Sequence, residues 1–134
     1  MRFYLLGLGS NIDPASNLNK AMQLLQQQLQ VLDCSPVIDT AAVGSCFNAA
    51  FKNQLILAAC PLSPEHLKQQ LLQMEERLGR EPKTPERQFH DRPIDIDILA
   101  YADEPEPCLQ TELSESYYQT ALQRWQPQLA LRSV

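Results

Sequence analysis

Two aspartates, Asp95 and Asp97, stand in the segment Asp91-Arg92-Pro93-Ile94-Asp95-Ile96-Asp97-Ile98-Leu99. Ile94, Ile96 and Ile98 alternate with Asp95, Asp97 and Leu99, and a period of two predicts a β-strand. Residues two apart in a strand share a face. The carboxylates therefore project side by side, roughly 7 Å apart at the backbone, with the isoleucines opposite. Parallel carboxylates on a rigid strand repel each other unless a cation sits between them. Hard oxygen ligands of this kind suit Mg²⁺, which takes one or two carboxylates and completes its shell with water and substrate phosphates. Arg92, just upstream, brings a guanidinium that can grip a phosphate through two parallel hydrogen bonds. The same spacing would also serve a strand whose polar face is simply solvated.

The strand is preceded by a polar loop, residues 80–92, that contains Arg80, Lys83, Arg87 and Arg92 with prolines at 82 and 85. With so little apolar anchorage, this loop is expected to be mobile and to close over a phosphate ligand. Upstream, residues 2–8 form an apolar run ending in Gly9-Ser10-Asn11, a strand and a turn. Asp13 and Pro14 predict a helix start, and Leu18, Met22, Leu25 and Leu29 give that helix one apolar stripe. Residues 30–39 suit a second strand, irregular at Pro36, and residues 51–59 a third. Ser63-Pro64 opens a second helix with Leu67, Leu71, Met74 and Leu78 on one side, ended by Gly79. After Tyr101 the tail is first acidic and Pro-rich, then helical in pattern from Ser114 to Gln126.

The order β-α-β-β-α-β predicts an α+β fold of the ferredoxin-like, split β-α-β kind: an antiparallel sheet with two helices on one face. In this arrangement the aspartate strand is expected to be central, and the face away from the helices to lie open to a ligand. The 134 residues suffice for a single domain, 1–134, with a real core. A net charge of −5 and a pI near 4.9 argue against a general nucleic-acid binder. No apolar run of about 18 residues suggests a membrane span. The apolar start is cut short by Gly7, Ser10, Asn11 and Asp13, and reads as the first strand of a cytoplasmic protein rather than a signal sequence. Cys34, Cys46, Cys60 and Cys108 are widely spaced without a C-x-x-C and are expected as free thiols.

Several of these pieces together resemble 6-hydroxymethyl-7,8-dihydropterin pyrophosphokinases. Leu8-Gly9-Ser10-Asn11 is similar to the family's opening strand and turn. Thr40 to Gly44 followed by Phe51-Lys52-Asn53-Gln54 is similar to its pterin loop and third strand. Glu75-Glu76-Arg77-Leu78-Gly79-Arg80 resembles the end of its second helix, and Arg92 to Leu99 its signature strand. The likeness covers roughly residues 3–101. It implies transfer of pyrophosphate from ATP to the hydroxymethyl group of a reduced pterin, releasing AMP, in folate biosynthesis. Asp95 and Asp97 would hold two Mg²⁺ ions on the ATP phosphates. Arg80, Arg87 and Arg92 would meet phosphates, and Glu75 would anchor nucleotide-side groups. Asn53 and the backbone near Thr40 and Val43 would read the pterin edge, with Phe51 stacked on the ring. The partners implied are ATP and a pterin, with the oligomeric state open.

The chain departs from the family's pattern in three places. Pro82 stands where the family has a second Arg, with Lys83 and Arg87 nearby. The loop before the signature strand is about two residues longer, with Phe89 near its end. The family's later His-Pro pair, downstream Arg and pterin-stacking Phe have no recognisable counterpart, although Tyr117, Tyr118, Arg124 and Trp125 offer aromatic and charged groups. These departures imply catalysis weakened more than binding. They leave open a paralogue that binds pterin or nucleotide as a regulatory module, or a ferredoxin-like interaction domain.

Overall fold

The computed structural model describes residues 1–40, 51–79 and 94–132. Strand β1 (Arg2–Ser10) leads into helix α1 (Pro14–Gln28), followed by short strands β2 (Gln30–Cys34) and β3 (Ile38–Thr40). Strand β4 (Phe51–Cys60), helix α2 (Pro64–Arg77) and strand β5 (Asp95–Ala102) complete the repeat. Two helices from the tail, α3 (Pro105–Leu109) and α4 (Ser116–Arg132), follow. The strands form one antiparallel sheet in the order β2-β4-β1-β5, with β3 also paired to β4. The fold is α+β, with the ferredoxin-like element order. The expected second strand is two pieces because Pro36 has no N–H to give the ladder. Ser35 bridges the break: its N–H donates to Leu55 O and its Oγ accepts from Leu55 N, each at 2.8 Å.

One correction concerns β5. Among the described residues it pairs only with β1 and ends the sheet, so the aspartate strand lies at the edge and not at the centre. Its isoleucines are buried for a different reason. Helix α2 lies over them, and Ile94 and Ile96 join Leu67, Leu71 and Met74 of α2 in the larger core. That core also takes Tyr4, Leu6 and Leu8 of β1, Ile56 and Ala58 of β4, and Leu18, Ala21 and Leu25 of α1. Both helices of the repeat therefore share one face, as the matching stripes require.

The opposite face is not left bare, as the helical repeat alone would leave it. Leu5, Ile38, Leu55 and Leu57 project there and meet Cys108 of α3 with Leu113, Tyr118, Ala121 and Trp125 of the tail. Four aliphatic side chains on a sheet face would be costly to leave in water, and the tail supplies their cover. A β-bulge aids the fit. Leu6 pairs with Ile98 but Leu5 with Ala100, so Leu99 is an extra residue and both Leu99 and Ala100 turn toward this second core.

The helix ends differ from one another. Ser63 caps α2 through its side chain, accepting from His66 N at 3.3 Å, and Gly79 takes the left-handed φ of 98° just past its end. Asp13 does not cap α1 with its carboxylate; its own backbone is left-handed, at φ 42°. The turn is held instead at the Ile12 carbonyl, which accepts from Ser10 Oγ and Asn17 Nδ2. Cys34, Cys60 and Cys108 are free thiols, and no helix among the described residues is long and apolar enough to cross a membrane.

Candidate active site

Register across the sheet assembles the site. Gly9 of β1 pairs with Asn53 of β4 on one side and Asp95 of β5 on the other, and Ile38 of β3 extends the row beyond Asn53. Two residues back, Gly7 pairs with Leu55 and with Asp97. Paired residues in an antiparallel sheet point to the same face, so both aspartates, Asn53 and the two glycine positions look the same way. Phe51, two residues from Asn53 on β4, shares this face. The site thus lies on the face of the second core, away from α1 and α2.

The two glycines make room for polar groups at the floor. A Cβ at Gly9 would lie 2.8 Å from Asn53 Oδ1, so the Asn53 amide occupies the space a side chain would take. Phe51 Cδ1 lies 4.0 Å from the same point, which puts the ring beside the amide. Asn53 is 3 % exposed and Phe51 half-buried. A Cβ at Gly7 would lie 2.5 Å from Tyr118 Cζ and 2.6 Å from its hydroxyl. The end of this phenol therefore fills the Gly7 notch, next to Asp97. Burial first, then the Asp97, Tyr117, Asp95 and Glu115 neighbours, hold the Tyr118 hydroxyl well above the usual phenol range.

Beneath the aspartates, Glu75 of α2 is buried, and its Oε1 accepts from the Ile96 N–H at 2.9 Å. Ile96 sits between Asp95 and Asp97, and among the described residues no further strand lies on the side its N–H faces. Glu75 fills that place, and leaving such a buried N–H unpaired would cost about 1–3 kcal/mol. Asp95 is half-buried and Asp97 exposed, so the pair lines the site at its rim. No group of three or more His, Cys, Asp or Glu side chains able to hold a metal occurs among the described residues. Two adjacent carboxylates are the kind of oxygen pair that suits Mg²⁺, whose remaining positions commonly go to water and phosphate oxygens.

Of the residues expected from sequence, the fold brings Asp95, Asp97, Asn53 and Phe51 onto one face. Thr40 ends β3 directly opposite Phe51. Glu75 lies behind the strand, on the side of the larger core. Val43, Arg80, Arg87 and Arg92, with the expected closing loop, lie outside the described residues. His66 is exposed in the first turn of α2. Tyr118 is one of the tail aromatics the sequence offered, but its seat in the Gly7 notch beside Asp97 was not legible. The nearest signal was Gly7-Leu8-Gly9, two glycines spaced like Asp95-Ile96-Asp97, but their alignment depends on register.

The fold and site define a class: a ferredoxin-like α+β domain with an acidic pair and a buried amide aligned across one sheet face. The family profile for 7,8-dihydro-6-hydroxymethylpterin-pyrophosphokinase matches residues 5–129, and the chain belongs to that family. It is 35 % identical over 100 residues to the 2-amino-4-hydroxy-6-hydroxymethyldihydropteridine pyrophosphokinase of Aquifex aeolicus, covering 74 % of this chain and 61 % of that protein. The enzyme of the same name from Porphyromonas gingivalis is 34 % identical over 104 residues, 76 % of this chain and 71 % of its own length. A folate synthesis bifunctional protein of Chlamydia caviae is 34 % identical over 110 residues, 77 % of this chain but 24 % of that larger protein.

Proposed function

We propose that the chain acts as one cytoplasmic pyrophosphokinase domain. It transfers the terminal pyrophosphoryl group of ATP to the hydroxymethyl group of 6-hydroxymethyl-7,8-dihydropterin, in folate synthesis. The hydroxymethyl oxygen attacks the β-phosphorus, the bond from that phosphorus to the α–β bridging oxygen breaks, and AMP leaves. The observation that carries this reading is the row Asn53–Gly9–Asp95. Asn53 and Asp95 are two strands apart, roughly 10 Å at the usual strand spacing. A flat bicyclic ring can lie across that span, one edge at the amide and its substituent directed at the carboxylates. Asn53, with the backbone near Thr40 and Val43, pairs with the donors and acceptors of the pterin edge. Phe51 offers its ring for stacking.

Asp95 and Asp97 hold Mg²⁺, two ions in the full complex, which neutralises charge on the polyphosphate. Arg80, Arg87 and Arg92 complete the phosphate contacts. Glu75 serves the nucleotide side indirectly, by fixing the strand that carries the aspartates. Pro82 and a helical tail in place of the family's later segment leave fewer groups aimed at the transition state than at the bound ligands. Binding in a normal enzyme range with slow AMP formation is the expected result. Calorimetry with a non-hydrolysable ATP analogue and Mg²⁺, with and without the pterin, tests binding, and AMP release tests turnover. A rate of about 1 s⁻¹ or faster, within the usual enzyme range, would show that catalysis is not weakened. Absence of both nucleotide and pterin binding would overturn the function itself.

A further inference from the structure

We propose that Tyr118 is a positioning residue for the aspartate pair: its phenol fills the Gly7 notch and its hydroxyl holds the Asp97 carboxylate. Gly7 and Asp97 are directly paired. Side-chain positions across such a pair are about 5 Å apart. The hydroxyl lies 2.6 Å from the place a Gly7 Cβ would occupy, on the face that Asp97 shares. The hydroxyl and Asp97 thus stand on the same face, on either side of the Gly7 position.

The sheet order sets which side of Asp97 the tail can reach. Among the described residues β5 is an edge strand whose strand neighbour is β1. Asp97 is itself exposed, at the rim of the site. The inner side, over Gly7, is where the fold supplies a rigid group. Tyr118 is 4 % exposed and packs in the second core with Leu113, Ala121 and Trp125. Its ring meets Tyr117 edge-on, with centroids 4.6 Å apart at 65°. A phenol fixed in this way spends little entropy on each hydrogen bond it donates. Groups that orient metal ligands in this manner are worth about 10–100-fold in metal affinity or activity.

The inference rests on reading Asp95 and Asp97 as cation ligands, and the experiment separates the two. The affinity of a non-hydrolysable ATP analogue is measured by calorimetry with Mg²⁺ and with chelator, for the parent, Tyr118→Phe, Asp97→Asn and Tyr101→Phe. Tyr101 is exposed, on the opposite face beside Tyr4, and its variant serves as the control. Tyr118→Phe keeps the ring in the notch and should fold. It is expected to weaken the Mg²⁺-loaded affinity about tenfold or more, leave the metal-free affinity unchanged, and leave Tyr101→Phe as the reference. Gly7→Ala, which expels the phenol, should reproduce that loss. If Tyr118→Phe binds like the parent while Asp97→Asn loses Mg²⁺ dependence, the positioning role is wrong and the metal site stands. Equal weakening with and without Mg²⁺ would mark a merely structural role and overturn the proposal. If Asp97→Asn also binds like the parent, the metal reading fails and this inference fails with it.

Discussion

Gly9→Ala is the sharpest perturbation of the site floor. The added methyl would stand 2.8 Å from Asn53 Oδ1, about 0.6 Å inside the 3.4 Å at which ordinary contact begins. Phe51 Cδ1, at 4.0 Å, needs no movement. The whole adjustment therefore falls on one amide. Asn53 is 3 % exposed and has Ile38 across the ladder from it, so it cannot swing into solvent without disturbing its surroundings. Alanine for glycine reduces the freedom of the unfolded chain and stabilises by about 0.4–1 kcal/mol. Overpacking a filled space costs about 1–3 kcal/mol. The net should be a loss of about 1–2 kcal/mol, seen as a lower urea midpoint at unchanged slope. Ligand recognition should suffer more, because hydrogen bonds weaken steeply when their geometry shifts. Losing one such bond in a closed pocket costs on the order of 1–3 kcal/mol, so pterin affinity should fall roughly tenfold. Gly7→Ala is the natural comparison. It meets three atoms of a buried aromatic ring at 2.5, 2.6 and 2.9 Å, and a ring yields less readily than an amide. Its stability loss should exceed that of Gly9→Ala. Calorimetric titration with 6-hydroxymethylpterin and urea melts of both variants decide the matter. Parent-like stability and pterin affinity in Gly9→Ala would refute the placement of the Asn53 amide over Gly9.

Asp95→Asn should weaken Mg²⁺-dependent nucleotide binding while the protein remains folded, and in metal-free buffer the relief of carboxylate repulsion should leave it at least as stable as the parent; binding of Mg-nucleotide equal to the parent's would remove the metal site. Glu75→Ala strips the acceptor from the buried Ile96 N–H and should cost about 2–3 kcal/mol in a denaturant melt, with Glu75→Gln retaining part of it; an unchanged midpoint in the alanine variant would show that the edge is held by other means. Alkaline stability should depend on Tyr118. Its folded pKa is raised chiefly by burial, whereas the unfolded phenol ionises near 10. Above about pH 10 the folded protein therefore holds a proton that the unfolded chain has lost. Stability is full below that pH and falls as pH rises, by at most about 1.4 kcal/mol per unit for this group. Tyr118→Phe should flatten that part of the decline, and identical slopes for variant and parent between pH 10 and 11.5 would contradict the argument.

The parts of the site that were legible in the sequence are those written in local periodicity. Asp95 and Asp97 announce a shared face because alternation within one strand requires no knowledge of its neighbours. The stripes of α1 and α2 are local in the same sense, and they place both helices on one face. What sequence could not convey is which strand lies beside which. The isoleucines of β5 look like the marks of a central strand, but α2 buries an edge strand just as well, and only the order β2-β4-β1-β5 distinguishes the two. The same limit hides the floor. Gly7 and Gly9 read as weak spots in an apolar strand until register sets one against Asp97 and the other between Asn53 and Asp95. The tail's helix is legible but its packing is not, because the surface it covers is made of Leu5, Ile38, Leu55 and Leu57, drawn from three strands. That surface exists only after the sheet has formed. The same packing that closes the second core carries Tyr118 to Gly7, so the tail's stabilising role and its place beside the aspartates are one structural fact. A substitution that loosens α4, such as truncation of the buried Trp125, should therefore disturb the acidic rim along with the core.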